Sequence, residues 1–478
     1  MAKIAIIGAG FAGHTAALYL GDSLGKNHEV TMINKQDYFL YVPSLILVGV
    51  GHMAENKVRF PLKPVYDKMH VNFIHGAATE VHPDEQYVMA LMQDGSGSSA
   101  RVDYDYLIVA TGPKLDFAAT PGLGPAMKNT FSLCNAPHAS ECRSEYLENV
   151  ARMQKGEKRQ LLIGTGHPGA TCQGAALEYI SNIHKDLLKR GIRDKAELLW
   201  LSNEAALGDF GVRGLRVQKN GSSFTSEEFI SAIFDDYQIK WEVQKGVHQV
   251  EKDRVHWEDY AGNYGETAYD FAMLIPKFSG VSMKFIGKDG EDVSHKVINK
   301  GGFVLVDAVY GKSHDELSMH PEAWPATYQN PNYRNIFAAG IAFAPPGPIS
   351  VPHITKNGTS ITAAPPRTGM VSGIIGRIVA KNVIDLVERG RMTHSERMTE
   401  MAAACIASMG DSMWDGSAAT IMMYPVVPDY VRYPNEDGRD SFVTHMEMGL
   451  GGAWMKRMIH TTFMHKLNGR FGWKLIPE

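Results

Sequence analysis

The chain has 478 residues, too many for one ordinary core, and at roughly 150 residues per domain about three units are expected. A formal charge of −4 at pH 7 gives no global basic field, so nothing supports a nucleic-acid partner. The four cysteines, Cys134, Cys142, Cys172 and Cys405, are too few and too irregular for a secreted disulfide scaffold, and no CxxC pair points to zinc or another metal. That leaves redox chemistry or buried inert thiols.

Met1-Ala2-Lys3 runs directly into Ile4-Ala5-Ile6-Ile7, which reads as a buried parallel strand rather than a secretory leader. The strand delivers the chain into Gly8-Ala9-Gly10-Phe11-Ala12-Gly13, followed by a helical pattern over residues 14–20. Gly8 permits the tight turn, Gly10 lets backbone approach a pyrophosphate, and Gly13 lets helix and strand pack closely. The helix start then offers unpaired N–H groups and the positive dipole end to phosphate. A second strand over residues 29–33 closes a βαβ unit. The acidic residue expected at its end is absent; Asn34 and Lys35 stand there, and Asn34 can hydrogen-bond a ribose with less selectivity. The most apolar stretch, residues 38–50, is interrupted by Pro43 and falls short of the roughly 20 helical residues a bilayer needs. Any membrane contact is therefore expected to be peripheral.

Residues 104–112 form a buried strand ending in the small-residue turn Ala110-Thr111-Gly112, and Asn335-Ile336-Phe337-Ala338-Ala339-Gly340 is its late counterpart. Together they imply a nucleotide-binding domain assembled from residues 1–120 and 300–390. Between them lies a second unit, residues 155–295. It contains a strand over 160–163, the turn Gly164-Thr165-Gly166-His167-Pro168-Gly169, a helix over about 171–188 and a strand over 197–201. The expected fold is α/β, with two tandem Rossmann-like dinucleotide-binding domains. Pro168 removes an amide that could have met phosphate, which speaks against nucleotide binding in the second copy.

Residues 391–478 leave this pattern and form a C-terminal region. Residues 450–467 read as an amphipathic helix carrying Trp454, Met455, Met458, Ile459, Phe463 and Leu467 on one face. Lys456, Arg457, Lys466, Arg470 and Lys474 add positive charge beside it. Such a helix suits an anionic membrane interface; packing on its own domain or a partner subunit is the alternative.

Further segments are Leu133-Cys134-Asn135-Ala136-Pro137-His138-Ala139, Pro168-Gly169-Ala170-Thr171-Cys172-Gln173-Gly174 with Glu178, Gly208-Asp209-Phe210-Gly211-Val212, Tyr328-Gln329-Asn330-Pro331, Pro366-Arg367-Thr368-Gly369-Met370 and Cys405-Ile406-Ala407. These segments resemble the sulfide:quinone oxidoreductase family, which is related to flavocytochrome c sulfide dehydrogenases and type II NADH dehydrogenases. The likeness keeps motif order from residue 1 to about residue 475. It implies a disulfide-reductase-like flavoprotein that oxidises sulfide and passes two electrons through FAD to a membrane quinone. It also implies FAD held by Gly8, Gly10, Phe11, Ala12, Gly13, Asn34 and Lys35 at one turn. Ala110, Thr111, Gly112, Gly340, Arg367, Thr368 and Gly369 would complete that site. Cys172 matches the redox cysteine, and Cys134 matches a thiol that some members bond covalently to the flavin. His138 and Glu178 match polar residues on the sulfide side, candidates for proton handling. Relatives use the C-terminal region to attach to a lipid surface and to bring quinone to the flavin; a homo-oligomer is compatible with all of this.

One departure stands out. The family normally supplies a partner for the Cys172 match, yet no cysteine lies between Cys172 and Cys405. Three readings stay open: Cys134 replaces it, a single persulfide with an external acceptor suffices, or the chain uses another reductant. Cys142 and Cys405 are expected to be structural thiols. The competing readings are a type II NADH:quinone oxidoreductase and a redox-quiet flavin-bearing subunit that binds sulfur species or a partner protein.

Overall fold

A computed structural model of the protein describes residues 1–478 apart from 220, 282, 367, 411–413 and 415. The strand Lys3–Ile7 lies between Glu29–Asn34 and Tyr106–Val109, parallel to both. Ile336–Ala338, from late in the chain, adds in parallel outside Tyr106–Val109. On the other side the sheet continues into the antiparallel meander Asn72–His82, Tyr87–Met92 and Ser99–Asp103. Lys3–Ile7, Tyr106–Val109 and Ile336–Ala338 are apolar almost throughout because both faces of the sheet are covered.

Five helices position the site: α1 (Phe11–Leu24), α2 (Ala136–Gln154), α3 (Gln173–Lys189), α4 (Gly369–Arg389) and α5 (Leu450–Leu467). α1 and α4 pack side by side on the first sheet, so closely that a Cβ on Gly376 would overlap the Ala12 carbonyl. A second sheet is wholly parallel, in the order Ile239–Glu242, Ala196–Leu201, Arg159–Thr165 and Phe271–Ile275. Its side chains alternate: Leu161 and Ile163 face the main core, whereas Leu162 faces a smaller cluster with Leu199, Val247 and Val255.

The C-terminal region adds a three-stranded antiparallel sheet, Ala403–Met409, Ser417–Met423 and His445–Gly449, against which α5 packs. α5 has the bounds expected from its spacing, but its surroundings differ from the expectation. Leu467 is buried and Phe463 packs on the core, while Trp454, Met455 and Met458 point outward at 48%, 40% and 59% exposure. The supposed surface cation Lys466 is buried and paired with Glu478 at 2.8 Å. Lys456 and Lys474 also form ion pairs, with Glu178 and Asp22. The chain's last residues fold back over α1 and α4, so Lys466 and Lys456 neutralise carboxylates inside the fold, whereas the Lys474–Asp22 pair stays at the surface. Among the described residues no helix is long and apolar enough to cross a membrane.

Candidate active site

The two glycine turns differ in what covers them. At the first, Gly8 has φ +99°, and a Cβ there would run into the Ala110 carbonyl; a Cβ on Gly13 would overlap the Gly8 carbonyl. Glycine is therefore required for α1 to seat on the strand. Gly10 and Gly112 are the opposite case, with open space where a Cβ would project. Gly10 is also the N-cap of α1 and supplies no side-chain cap, so the first-turn N–H groups remain available to an anion. Asn34 accepts from the Ala9 amide at 2.9 Å and donates to the Gln36 carbonyl at 2.7 Å, so its side chain braces the turn. Lys35 is exposed beside it. Ala110 and Thr111 follow the strand Tyr106–Val109, and Gly340 (φ +62°) sits against Ala12 and Ser372. Thr368 caps α4, and a Cβ on Gly369 would lie 3.1 Å from the Phe11 ring. Arg367 lies outside the described residues. This cradle of small residues at a helix N-terminus fits an extended pyrophosphate-bearing cofactor.

The second turn is closed by the chain itself. The Thr362 amide donates to the Pro168 carbonyl and the Ala364 amide to the Ala170 carbonyl, each at 3.0 Å. Thr171 Oγ1 donates to the Pro365 carbonyl at 2.7 Å, and the Asn203 amide group donates to Pro168 and Ala170. A Cβ on Gly166 would strike Leu123 at 2.6 Å from the other side. α3 begins only at Gln173, leaving Cys172 as its N-cap in the left-handed region, φ 65°. That conformation is uncommon for a residue with a Cβ and marks a constrained position. The thiol thus sits at the positive end of a seventeen-residue helix.

Three thiols lie in this region. Cys134 and Cys405 both feel the charge of Cys172, and burial pushes each of them up to about 11. Cys405 lies on the strand Ala403–Met409, its Sγ 3.0 Å from where a Cβ on Gly174 would stand. Glu178, one turn further along α3, is buried. One carboxylate oxygen accepts from the Ser408 amide at 3.1 Å and from the Ser408 hydroxyl; the other accepts from Lys456 Nζ at 2.9 Å. Lys456 also donates to the Ile406 carbonyl at 3.0 Å. Burial and the nearby Glu178 carboxylate push the Tyr41 hydroxyl upward. The Tyr41 ring lies edge-on to His460 of α5, and near Phe11 of the first turn, at centroid distances of 5.2 and 5.6 Å. His138, in the first turn of α2, packs edge-on against Phe117; desolvation lowers its pKa, against the pull of Glu141. Cys142 stands apart with the Tyr179 hydroxyl at 3.2 Å, and burial raises it to about 12, as suits a structural thiol.

The family model for pyridine nucleotide-disulphide oxidoreductases matches residues 2–190. The sulfide-quinone reductase of Aquifex aeolicus (strain VF5) is 29% identical over 439 residues, covering 92% of this chain and 87% of that protein. The solved structure of the sulfide:quinone oxidoreductase from Aquifex aeolicus matches with TM-score 0.77 at 27% identity, over 98% of this chain and 92% of that one. This chain is similar to the sulfide:quinone oxidoreductases along nearly its whole length. The external alternative NAD(P)H-ubiquinone oxidoreductase B3 of Arabidopsis thaliana is 25% identical over 206 residues, only 39% of this chain and 33% of that protein. Its likeness is partial where that to the sulfide:quinone oxidoreductase spans both chains.

Sequence reasoning missed Lys456, Ser408 and the place of Cys405. Lys456 falls within an otherwise convincing basic surface, and only the docking of α5 turns it inward. Cys405 is separated from Cys172 by 233 positions, and only the packing of α3 on the C-terminal sheet brings it near.

Proposed function

We propose that this chain is an FAD-dependent sulfide:quinone oxidoreductase, which oxidises sulfide to sulfane sulfur or polysulfide and passes two electrons to a membrane quinone. The observation that carries the reading is Cys172 at the N-terminus of α3, near a second and a third thiol, at a glycine turn covered by residues 362–365. Residues 1–120 and 300–390 form the flavin domain in this reading, 155–295 the second Rossmann-like domain, and 391–478 the quinone and membrane region. The first turn would hold the pyrophosphate through α1's N–H groups, with Asn34 and Lys35 as the candidates for the ribose and Gly340, Thr368 and Gly369 completing the site. FAD, when bound, supplies the two-electron relay between sulfur and quinone.

Cys172 is the redox thiol, placed at the positive end of the α3 dipole, which favours its anionic form. Cys134 would be the thiol available for a covalent link to FAD. Glu178, anchored by Ser408, holds Lys456 where its ammonium stabilises sulfur anions and can hand on a proton; His138, kept neutral by desolvation, can accept one. Membrane attachment is peripheral in this reading, supported by the exposed apolar side chains of the C-terminal region, Phe442 and Phe471 at 96% and 99% exposure and Trp454 and Met458 on α5.

The test is anaerobic. Sulfide added to the purified protein should bleach the oxidised flavin, and a short-chain quinone should restore it. Cys172→Ala should keep its flavin and lose bleaching by on the order of 10³-fold. A spectrum indifferent to sulfide in the wild-type protein would remove the reading.

A further inference from the structure

Sulfide oxidation at Cys172 requires a second sulfur if the enzyme is to cycle without an external acceptor, and no cysteine follows Cys172 until Cys405. The fold answers this by crossing α3 over the strand Ala403–Met409. Two contacts pin the crossing, Asn182 Nδ2 donating to the Ser408 carbonyl at 2.6 Å and Glu178 accepting from Ser408, and Lys456 of α5 bridges it by donating to both Glu178 and the Ile406 carbonyl. Gly174 lies in the first turn of α3, two residues beyond Cys172, and its missing side chain admits the Cys405 sulfur to that turn. Each S–S bond spans only about 2 Å, so one or two sulfur atoms inserted between the thiols extend their reach without moving backbone.

Resting on the oxidoreductase reading above, we propose that Cys405 is the sulfur-bearing partner of Cys172. In the oxidised enzyme the two are joined by a disulfide or by a chain with inserted sulfane sulfur. The ion pair beside Cys405 suits that role. Lys456 opposes the upward push of burial and of Glu178 on this thiol, so an anion formed there meets a cation.

For the disulfide form the chemistry balances as follows. Hydrosulfide attacks the Cys405 sulfur; the S–S bond breaks, Cys172 leaves as thiolate at the helix N-terminus, and Cys405 carries a persulfide. A second hydrosulfide removes the outer sulfur as H₂S₂ and leaves a Cys405 thiolate beside Lys456. The two thiolates give up two electrons, which FAD when bound would relay to quinone, and the bridge re-forms. In sum, two hydrosulfide ions, a quinone and two protons give H₂S₂ and a quinol.

The experiment is peptide mapping of the holoenzyme after a cycle of sulfide and excess short-chain quinone, alkylated without reduction. A peptide pair joining Cys172 to Cys405, with the mass of any inserted sulfur and lost on adding dithiothreitol, is expected. Cys405→Ser should lack the link and turn over sulfide at least roughly tenfold more slowly, while Cys142→Ser should keep both. A Cys172–Cys134 pair, or unlinked Cys172 in protein that sulfide bleaches and quinone reoxidises, overturns the proposal without needing a variant. If sulfide fails to bleach the wild-type flavin, the oxidoreductase reading fails instead. The same digest of diamide-treated protein then decides separately whether the two thiols can join.

Discussion

The two glycine turns start from the same plan, strand, glycine turn and helix, and end in opposite states. The first keeps Gly10 open to solvent and lets α1 begin on the turn itself, so that backbone N–H groups face outward. The second is wrapped by residues 362–365, its carbonyls taken by Thr362 and Ala364, and its helix starts later with a cysteine at the cap. A glycine turn is thus a binding site only if the rest of the fold leaves it uncovered. Where the chain covers it, the helix N-terminus becomes available to a thiol instead of a phosphate. α5 clamps both helices, but differently. His14 of α1 donates from Nε2 to the Leu467 carbonyl at 2.6 Å and accepts from the Tyr66 hydroxyl at 2.9 Å, a neutral arrangement. α3 is held by the charged pair Glu178–Lys456.

The comparison can be broken most sharply at its glycines. Gly13→Ala forces a methyl into the Gly8 carbonyl and should cost about 3 kcal/mol with loss of bound flavin, read by urea unfolding and by the flavin-to-protein absorbance ratio. Gly169→Ala meets only the His167 ring at 3.6 Å, an ordinary contact, and should change stability by less than about 0.5 kcal/mol. Equal damage at both would mean that the turns are equivalent after all. Next in size, Lys456→Met strands the buried Glu178 carboxylate and should destabilise by about 3 kcal/mol, with much of that recovered in Lys456→Met/Glu178→Gln. Additive losses in the double variant would show the pair to be uncoupled.

The neutral clamp on α1 predicts a pH effect. Burial lowers His14 from 6.5 to about 4. The unfolded chain takes up this proton below about 6.5 while the folded imidazole resists it until about 4. Stability therefore falls as pH drops through that window, and the loss levels off beneath it. Between pH 7 and pH 5 this site should remove about 2 kcal/mol. Urea unfolding of wild type and His14→Gln at the two pH values checks it; identical pH slopes would discard the assignment. The smallest effect is expected from NADH. With the second turn closed, it should leave the flavin oxidised on the time scale at which sulfide bleaches it, and rapid bleaching by NADH would reopen the comparison.

Local pattern made much of the fold legible. The strand Lys3–Ile7 and the helix Leu450–Leu467 have the bounds that apolar runs and three-to-four spacing require. Errors gathered where long-range contacts intervene. α1 begins at Phe11, a turn before the apolar pattern starts, because Gly10 itself serves as N-cap. α3 begins at Gln173 because Ala170 and Thr171 are bonded to a segment almost two hundred residues away. Lys466 has the appearance of a surface cation, but Glu478 returns to it from the chain end.

By itself the sequence determined the two strand–turn–helix units, the thiol at the second helix start and the relationship to a flavoenzyme family, since glycine spacing and apolar periodicity are local properties of backbone sterics. Only the tertiary structure decided which turn stays open, which lysine faces Glu178 and which cysteine approaches Cys172. Those depend on which distant segments pack together, and packing is set by the burial of whole faces of helices and sheets, which no short stretch of sequence specifies.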